Sequence, residues 1–169
     1  QHSYSISIID SLMTVDRITV NTIDATGQTI LGSTNGCYTR KGDQWMPIPG
    51  TEGAYIKHLV FDNGGVLWAA TTSGIYLIKN YSVIKKYDES SGLLNHFVYG
   101  ILFDNDGNAW YSSNKGLGCI RKDGSFKFFT AADGLQGDEF DTQSFWKSND
   151  GKLHFGGTNG ITSFYPQDV

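Results

Sequence analysis

Two stretches of the sequence carry side chains that neither a turn nor a strand requires: Asn95-His96-Phe97, and Asp138-Glu139 with Asp141 close behind. Four short polar pairs, each directly ahead of a glycine, add to them: Thr34-Asn35, Thr72-Ser73, Asn114-Lys115 and Thr158-Asn159. Amides, hydroxyls, an imidazole, a lysine and carboxylates near aromatic rings suit a hydroxyl-rich ligand such as a sugar. Asn95, His96, Asn114, Lys115, Asp138, Glu139 and Asn159 are therefore the candidate ligand-binding residues, with Arg17 on the same side of the molecule. The competing reading is local. Asn and Thr before Gly are turn formers, because their side chains bond their own backbone, whereas His96 and Glu139 are required by no turn.

Catalytic constellations are missing from the sequence. Two facing carboxylates would be needed for glycoside hydrolysis, but Asp138, Glu139 and Asp141 crowd one loop. The sialidase Asp box, SxDxGxTW, does not fit the spacing of Asp104, Gly107 and Trp110, and the arginine cluster of such enzymes cannot be built from Arg17, Arg40 and Arg121. HExxH, GxSxG and P-loop motifs are absent. Asp24, Asp62 and Asp104 each open a DxxG turn, where a carboxylate accepts backbone N–H bonds; calcium would need more oxygen ligands than one Asp per turn supplies. Neither a metal nor a cofactor is expected. Cys37 and Cys119 are too far apart for a zinc ribbon or CxxC site and read as small apolar fillers on strands, not as a disulfide.

The elements that must position these residues come from a repeat. One glycine opens each copy (Gly27, Gly65, Gly107, Gly151), a large apolar or ring side chain follows three places on (Ile30, Trp68, Trp110, His154), and a second glycine stands nine after the first (Gly36, Gly74, Gly116, Gly160). Spacings of 38, 42 and 44 residues between opening glycines fit one propeller blade or solenoid turn. Within each copy the chain alternates with period two or runs apolar over short segments, as strands do. In the third copy, Val98–Phe103, Ala109–Ser112, Gly118–Arg121 and Phe126–Thr130 are separated by NDGN, NKG and KDGS, three turn signals. Four antiparallel strands per unit is the meander of a propeller blade.

The expected architecture is thus all-β: a propeller fragment of four four-stranded blades in a single module over residues 1–169, with blades at about 10–50, 51–90, 91–132 and 133–169. The fourth copy stops one strand short, after Thr142–Lys147, Leu153–Phe155 and Ile161–Phe164, while Ser3–Ile9 supplies one strand too many at the start. Pairing of the two ends in one blade would remove an exposed sheet edge. Trp68, Trp110 and His154 share a slot suited to packing between blades. The turns that carry the second glycine share one face with the loops leading into each blade, and the DxxG turns lie opposite.

Composition agrees with such a chain. With 39% hydrophobic and 14% aromatic residues it can bury a core, and 21 glycines against 3 prolines mark a chain that turns often. The net charge is -4 and the basic residues are scattered, so no stripe neutralises a phosphate backbone and nucleic acid is set aside as a partner. No apolar run is long enough to span a bilayer and no signal peptide is apparent. The start at Gln1, with a repeat already under way, reads as a piece of something longer.

Gly92–Leu117, GLLNHFVYGILFDNDGNAWYSSNKGL, resembles the two-component regulator propeller repeat, whose pattern is roughly GLxxNxVxxIxxDxxGxxWxxTxxGL. Asp133–Pro166, with GDEF, FGG, NGI and FYP, resembles the last repeat of that propeller. The likeness is fair in the second copy, which lacks the GLxxN lead-in, and weak in the first, where Ile30 stands in place of Trp; the fourth has Asp138 and Asp141 where Asn is common. The resemblance implies the periplasmic sensor region of a hybrid histidine kinase of gut Bacteroidetes, cut just before an Ig-like domain. It also implies an oligosaccharide signal from polysaccharide breakdown; no catalysis by this segment is expected, given the missing constellations. Expected partners are the oligosaccharide, the remaining blades and Ig-like domain of the parent chain, and a homodimer mate; this segment makes no membrane contact. Two other readings stay open: a non-binding scaffold, and a carbohydrate-active or lyase-type propeller enzyme.

Overall fold

The computed structural model describes residues 17–169, and the expected strand Ser3–Ile9 lies outside them. Fifteen strands fold into four antiparallel sheets in chain order. Blade one is β1 (Ile18–Ile23), β2 (Thr29–Ser33), β3 (Gly36–Lys41) and β4 (Gln44–Pro47); blade two is β5 (Ile56–Phe61), β6 (Leu67–Thr71), β7 (Gly74–Lys79) and β8 (Ser82–Tyr87). Blade three is β9 (Val98–Phe103), β10 (Ala109–Ser113), β11 (Gly116–Ile120) and β12 (Phe126–Phe129), and blade four is β13 (Phe140–Lys147), β14 (Leu153–Gly157) and β15 (Gly160–Phe164). Each sheet is a simple meander, so the chain is an all-β propeller fragment of four blades; among the described residues three blades have four strands and the last has three.

Blades are joined face to face through apolar side chains. Between blades one and two lie Ile30, Cys37, Ile48, Ile56, Leu59, Leu67 and Ile78. Trp68, Ile75, Leu77, Val98, Ile101 and Tyr111 meet between blades two and three, and Trp110, Leu117, Phe140, Leu153 and Phe155 between three and four. The indole of Trp68 meets Phe103 of the next blade edge-on at 5.4 Å, and that of Trp110 meets Phe164 at 4.8 Å. Cys37 and Cys119 are free and fall in different junctions. Burial pushes both thiols up to about 12, which leaves them inert packing groups.

The DxxG carboxylates do more than cap their turns. Asp62 Oδ1 accepts the N–H groups of Gly64 and Val66 while Oδ2 accepts the Trp68 indole N–H at 3.0 Å. Asp104 repeats this, with the Asn108 N–H on Oδ1 and the Trp110 indole on Oδ2 at 3.0 Å. One side chain therefore fixes both a turn and the ring that fills the neighbouring junction.

Inner strands are also stitched to one another. Thr19 Oγ1 donates to the Ile56 carbonyl (2.6 Å), the Ile101 N–H donates to His58 Nδ1 (3.2 Å), and Lys147 Nζ donates to the Phe103 carbonyl (3.0 Å). The His58 ring also lies 4.4 Å from that of Phe145 in blade four. In β13 five residue steps from Phe140 to Phe145 oppose two on β14, with Gln143 at φ 59°. Without this irregularity the odd spacing would put the two phenylalanines on opposite faces; with it, both reach the core shared with blade three.

Two stability measurements follow. Asp104 is 5% exposed and holds the Trp110 indole. Asp104→Ala leaves buried donors unpaired and should lower the unfolding free energy by about 3 kcal/mol, read by urea denaturation. Burial lowers the His58 pKa from 6.5 to about 4. Between those values the unfolded chain binds a proton that the folded chain does not. Stability should therefore be full above about pH 6.5 and fall as pH drops toward 4, by on the order of 2–3 kcal/mol, and His58→Phe should flatten that part of the profile.

Candidate functional site on the face of the lead-in loops

The loops leading into blades three and four are held by the hairpin turn of the blade before, and those of blades one and four by a turn of their own blade. The Gly74 N–H donates to the His96 carbonyl and the Gly116 N–H to the Asp138 carbonyl, both at 2.7 Å. Both glycines have φ of 113°, and a Cβ on either would overlap the carbonyl oxygen of Tyr87 or Phe129. Only glycine meets both conditions. In blades one and four the turn residues Thr34 and Thr158 donate their N–H groups to the carbonyls of Arg17 (3.0 Å) and Glu139 (3.4 Å). Second-glycine turns and lead-in loops thus share one face, as the repeat topology predicts.

At the junction of blades two and three, His96 Nδ1 lies 3.1 Å from Glu89 Oε1. Glu89 comes from a short 3₁₀ turn, Glu89–Ser91, capped by Asp88: its Oδ1 accepts the Ser91 N–H at 3.0 Å, and its own N–H reaches Ser91 Oγ at 2.6 Å. His96, Asp88, Glu89 and Ser90 with Thr72 and Ser73 line an open depression of about 410 Å³. A carboxylate, an imidazole and several hydroxyls converge there on solvent. Beside it, Phe97 lies 5.2 Å from Tyr99, and Lys57 Nζ sits 3.9 Å from the Tyr55 ring centre and 5.6 Å from that of Phe97.

Asn95 is 7% exposed, and its Oδ1 accepts the Phe97 N–H (2.9 Å) while Nδ2 points to Glu89 at 3.4 Å. Its amide shapes the loop that presents His96. At the next junction the exposed Asn114 accepts the Tyr99 hydroxyl. Burial first, then the charges of Asp141 and Glu139, raise the Tyr99 pKa. Lys115 is exposed, and its backbone N–H donates to Ser113 Oγ at 3.1 Å. Asp138 Oδ1 accepts the Ala131 N–H at 2.7 Å, and the Asn159 N–H donates to Gln136 at 2.8 Å. The candidates therefore divide between two junctions. Among the described residues no three His, Cys, Asp or Glu side chains are grouped as metal ligands.

Sequence reasoning missed Glu89, the partner of His96. The available signal was the run Asp88-Glu89-Ser90-Ser91-Gly92, a capped turn that folds back over the loop seven residues on.

No family model and no curated protein matches the chain. Solved structures do. The extracellular domain of BT3049 from B. thetaiotaomicron, assigned to the hybrid two component systems, superimposes with a TM-score of 0.84 at 21% identity over 98% of this chain and 24% of that one. The extracellular domain of BT4673 from the same organism, likewise assigned, gives 0.74 at 21% identity over 90% of this chain and 23% of that one. Virginiamycin B lyase from Staphylococcus aureus, in a catalytically inactive histidine variant with quinupristin, gives 0.64 at 18% identity over 91% of this chain and 57% of that one. The chain thus spans about a quarter of the length of the two extracellular domains. These likenesses are of fold.

Replacement of Asn95 should separate architecture from recognition. Asn95→Ala is expected to cost about 1–2 kcal/mol and His96→Ala less than about 0.5 kcal/mol by chemical denaturation, because Asn95 is buried and holds the part-buried Phe97 N–H while His96 is exposed.

Proposed function

We propose that this chain is a ligand-sensing propeller module from the periplasmic part of a hybrid two-component system, a histidine kinase built with two-component regulator propeller repeats, and that it has no catalysis of its own. The observation that carries this reading is the superposition of nearly the whole chain on the extracellular domain of BT3049. The ligand is an oligosaccharide from polysaccharide breakdown. Glu89 and His96 contact it on the lead-in face, and the aromatic group of Tyr55, Phe97 and Tyr99 covers its less polar ring faces. Among the described residues no helix is long and apolar enough to cross a membrane. Binding changes how the blades pack against the parent's Ig-like domain or a homodimer mate. The signal requires that the ligand favour one of those arrangements over the other.

A lyase is the second reading, favoured by the likeness to virginiamycin B lyase and by the exposed Glu89–His96 pair. A thermal-shift screen of the purified chain against plant and host oligosaccharides, with each mixture then analysed by chromatography, separates the two. The sensor reading expects a raised Tm with the saccharide recovered intact, and at least tenfold weaker binding in Glu89→Gln or His96→Ala. A new product, or no shift with any saccharide, overturns it.

A further inference from the structure

The slot that holds Trp68 in blade two and Trp110 in blade three holds Ile30 in blade one. The carboxylate that would bind the indole N–H is still present as Asp24. Its Oδ1 accepts the N–H groups of Thr26 (2.8 Å) and Gln28 (3.0 Å), just as Asp62 caps its own turn. Its Oδ2, with no indole available, accepts the hydroxyl of Tyr81 at 2.7 Å, 57 residues away in blade two. Tyr81 and Asn80 form the β7–β8 turn, with φ of 57° and 50°. Such a pair normally ends in glycine, and a tyrosine kept in the left-handed region is backbone strain of the kind found at ligand sites.

Tyr81 supplies the hydrogen bond without filling the space of the ring. Between blades one and two, on the DxxG face, lies a cleft of about 690 Å³ walled by Ile23, Ile30, Phe61, Leu67 and Ile78, with Asp24, Asn63 and Tyr81 at its polar edge. The corresponding cleft between blades two and three, with Trp68 in its wall, holds about 430 Å³. Ile23, at the mouth of the cleft between blades one and two, is 64% exposed.

We infer that the cleft between blades one and two is a binding site for a small neutral ring bearing an N–H or O–H donor, which lies against Ile30 and Phe61 and, displacing the Tyr81 hydroxyl, donates to Asp24 as the tryptophans of blades two and three donate to Asp62 and Asp104. The repeat supplies the template: apolar faces for the two blades, and a donor on the ring edge for the carboxylate. The site lies on the face opposite Glu89 and His96 and does not depend on what binds there.

The direct probe is 3-methylindole, the tryptophan side chain itself, titrated into the 169-residue chain carrying labelled isoleucine methyls and followed by NMR. Saturable shifts of the Ile30 and Ile78 methyl signals are expected, with binding at least threefold weaker for 1,3-dimethylindole, which has no N–H. Ile30→Trp should abolish the effect by filling the slot, and His96→Ala should leave it intact. Should Ile30→Trp fail to fold, Asp24→Ala serves in its place: the preference for the N–H form should vanish. Unmoved Ile30 and Ile78 signals, binding that survives Ile30→Trp, or an N–H preference that survives Asp24→Ala would each overturn the assignment.

Discussion

The hydrogen bond from a tryptophan indole to the carboxylate that opens its own turn is the constraint around which the blades are organised. A propeller blade is a twisted sheet with two apolar faces, and its position is set by what interlocks with its neighbours. Trp68 and Trp110 supply that interlock, and a ring this large packs well only when its N–H has a partner. Asp62 and Asp104 give that partner while tying down the turn between the first two strands. The ring is thereby aimed at Phe103 or Phe164 of the next blade. Where the device is incomplete the junction differs: blade one keeps the carboxylate without the ring, and blade four has His154 in the slot, stacked on the exposed Trp146 at 5.4 Å.

A second coupling works from the opposite face. Because the Gly74 and Gly116 N–H groups hold the lead-in loops by the carbonyls of His96 and Asp138, the side chain of His96 is free to meet Glu89 at the surface, whereas that of Asp138 caps the Ala131 N–H. Candidate ligand contacts therefore sit on short, well-fastened loops at blade junctions, where a small change in blade packing reaches them directly. The DxxG face joins the same junctions through the tryptophans, so both faces share one mechanical frame.

Much of this was legible in the sequence because each blade repeats its own punctuation. Glycine pairs nine residues apart and alternating apolar residues placed most strands to within one or two residues, and the facing of turns and lead-in loops followed from meander topology. Local irregularity was not legible. The distortion in β13 puts Gln143, not glycine, at positive φ, so nothing in the residue types marked it. Asp62 and Asp104 read as turn caps, since a bond to an indole six residues on requires the folded turn to bring it close. Asn95 looked like a ligand residue by type, and burial directs its amide to its own loop. Glu89 escaped because a one-turn 3₁₀ segment has no periodicity to read.

The central claim is that two of the four tryptophans are bound by carboxylates at blade junctions. Hydrogen exchange of the indole N–H groups, followed by NMR, tests it most directly. The account predicts that the Trp68 and Trp110 indole protons exchange orders of magnitude more slowly than that of Trp146, which is 62% exposed. It also predicts that Asp104→Ala removes the protection of Trp110 while leaving that of Trp68. Exchange at Trp110 as fast as at Trp146, or protection unaltered by Asp104→Ala, would contradict it.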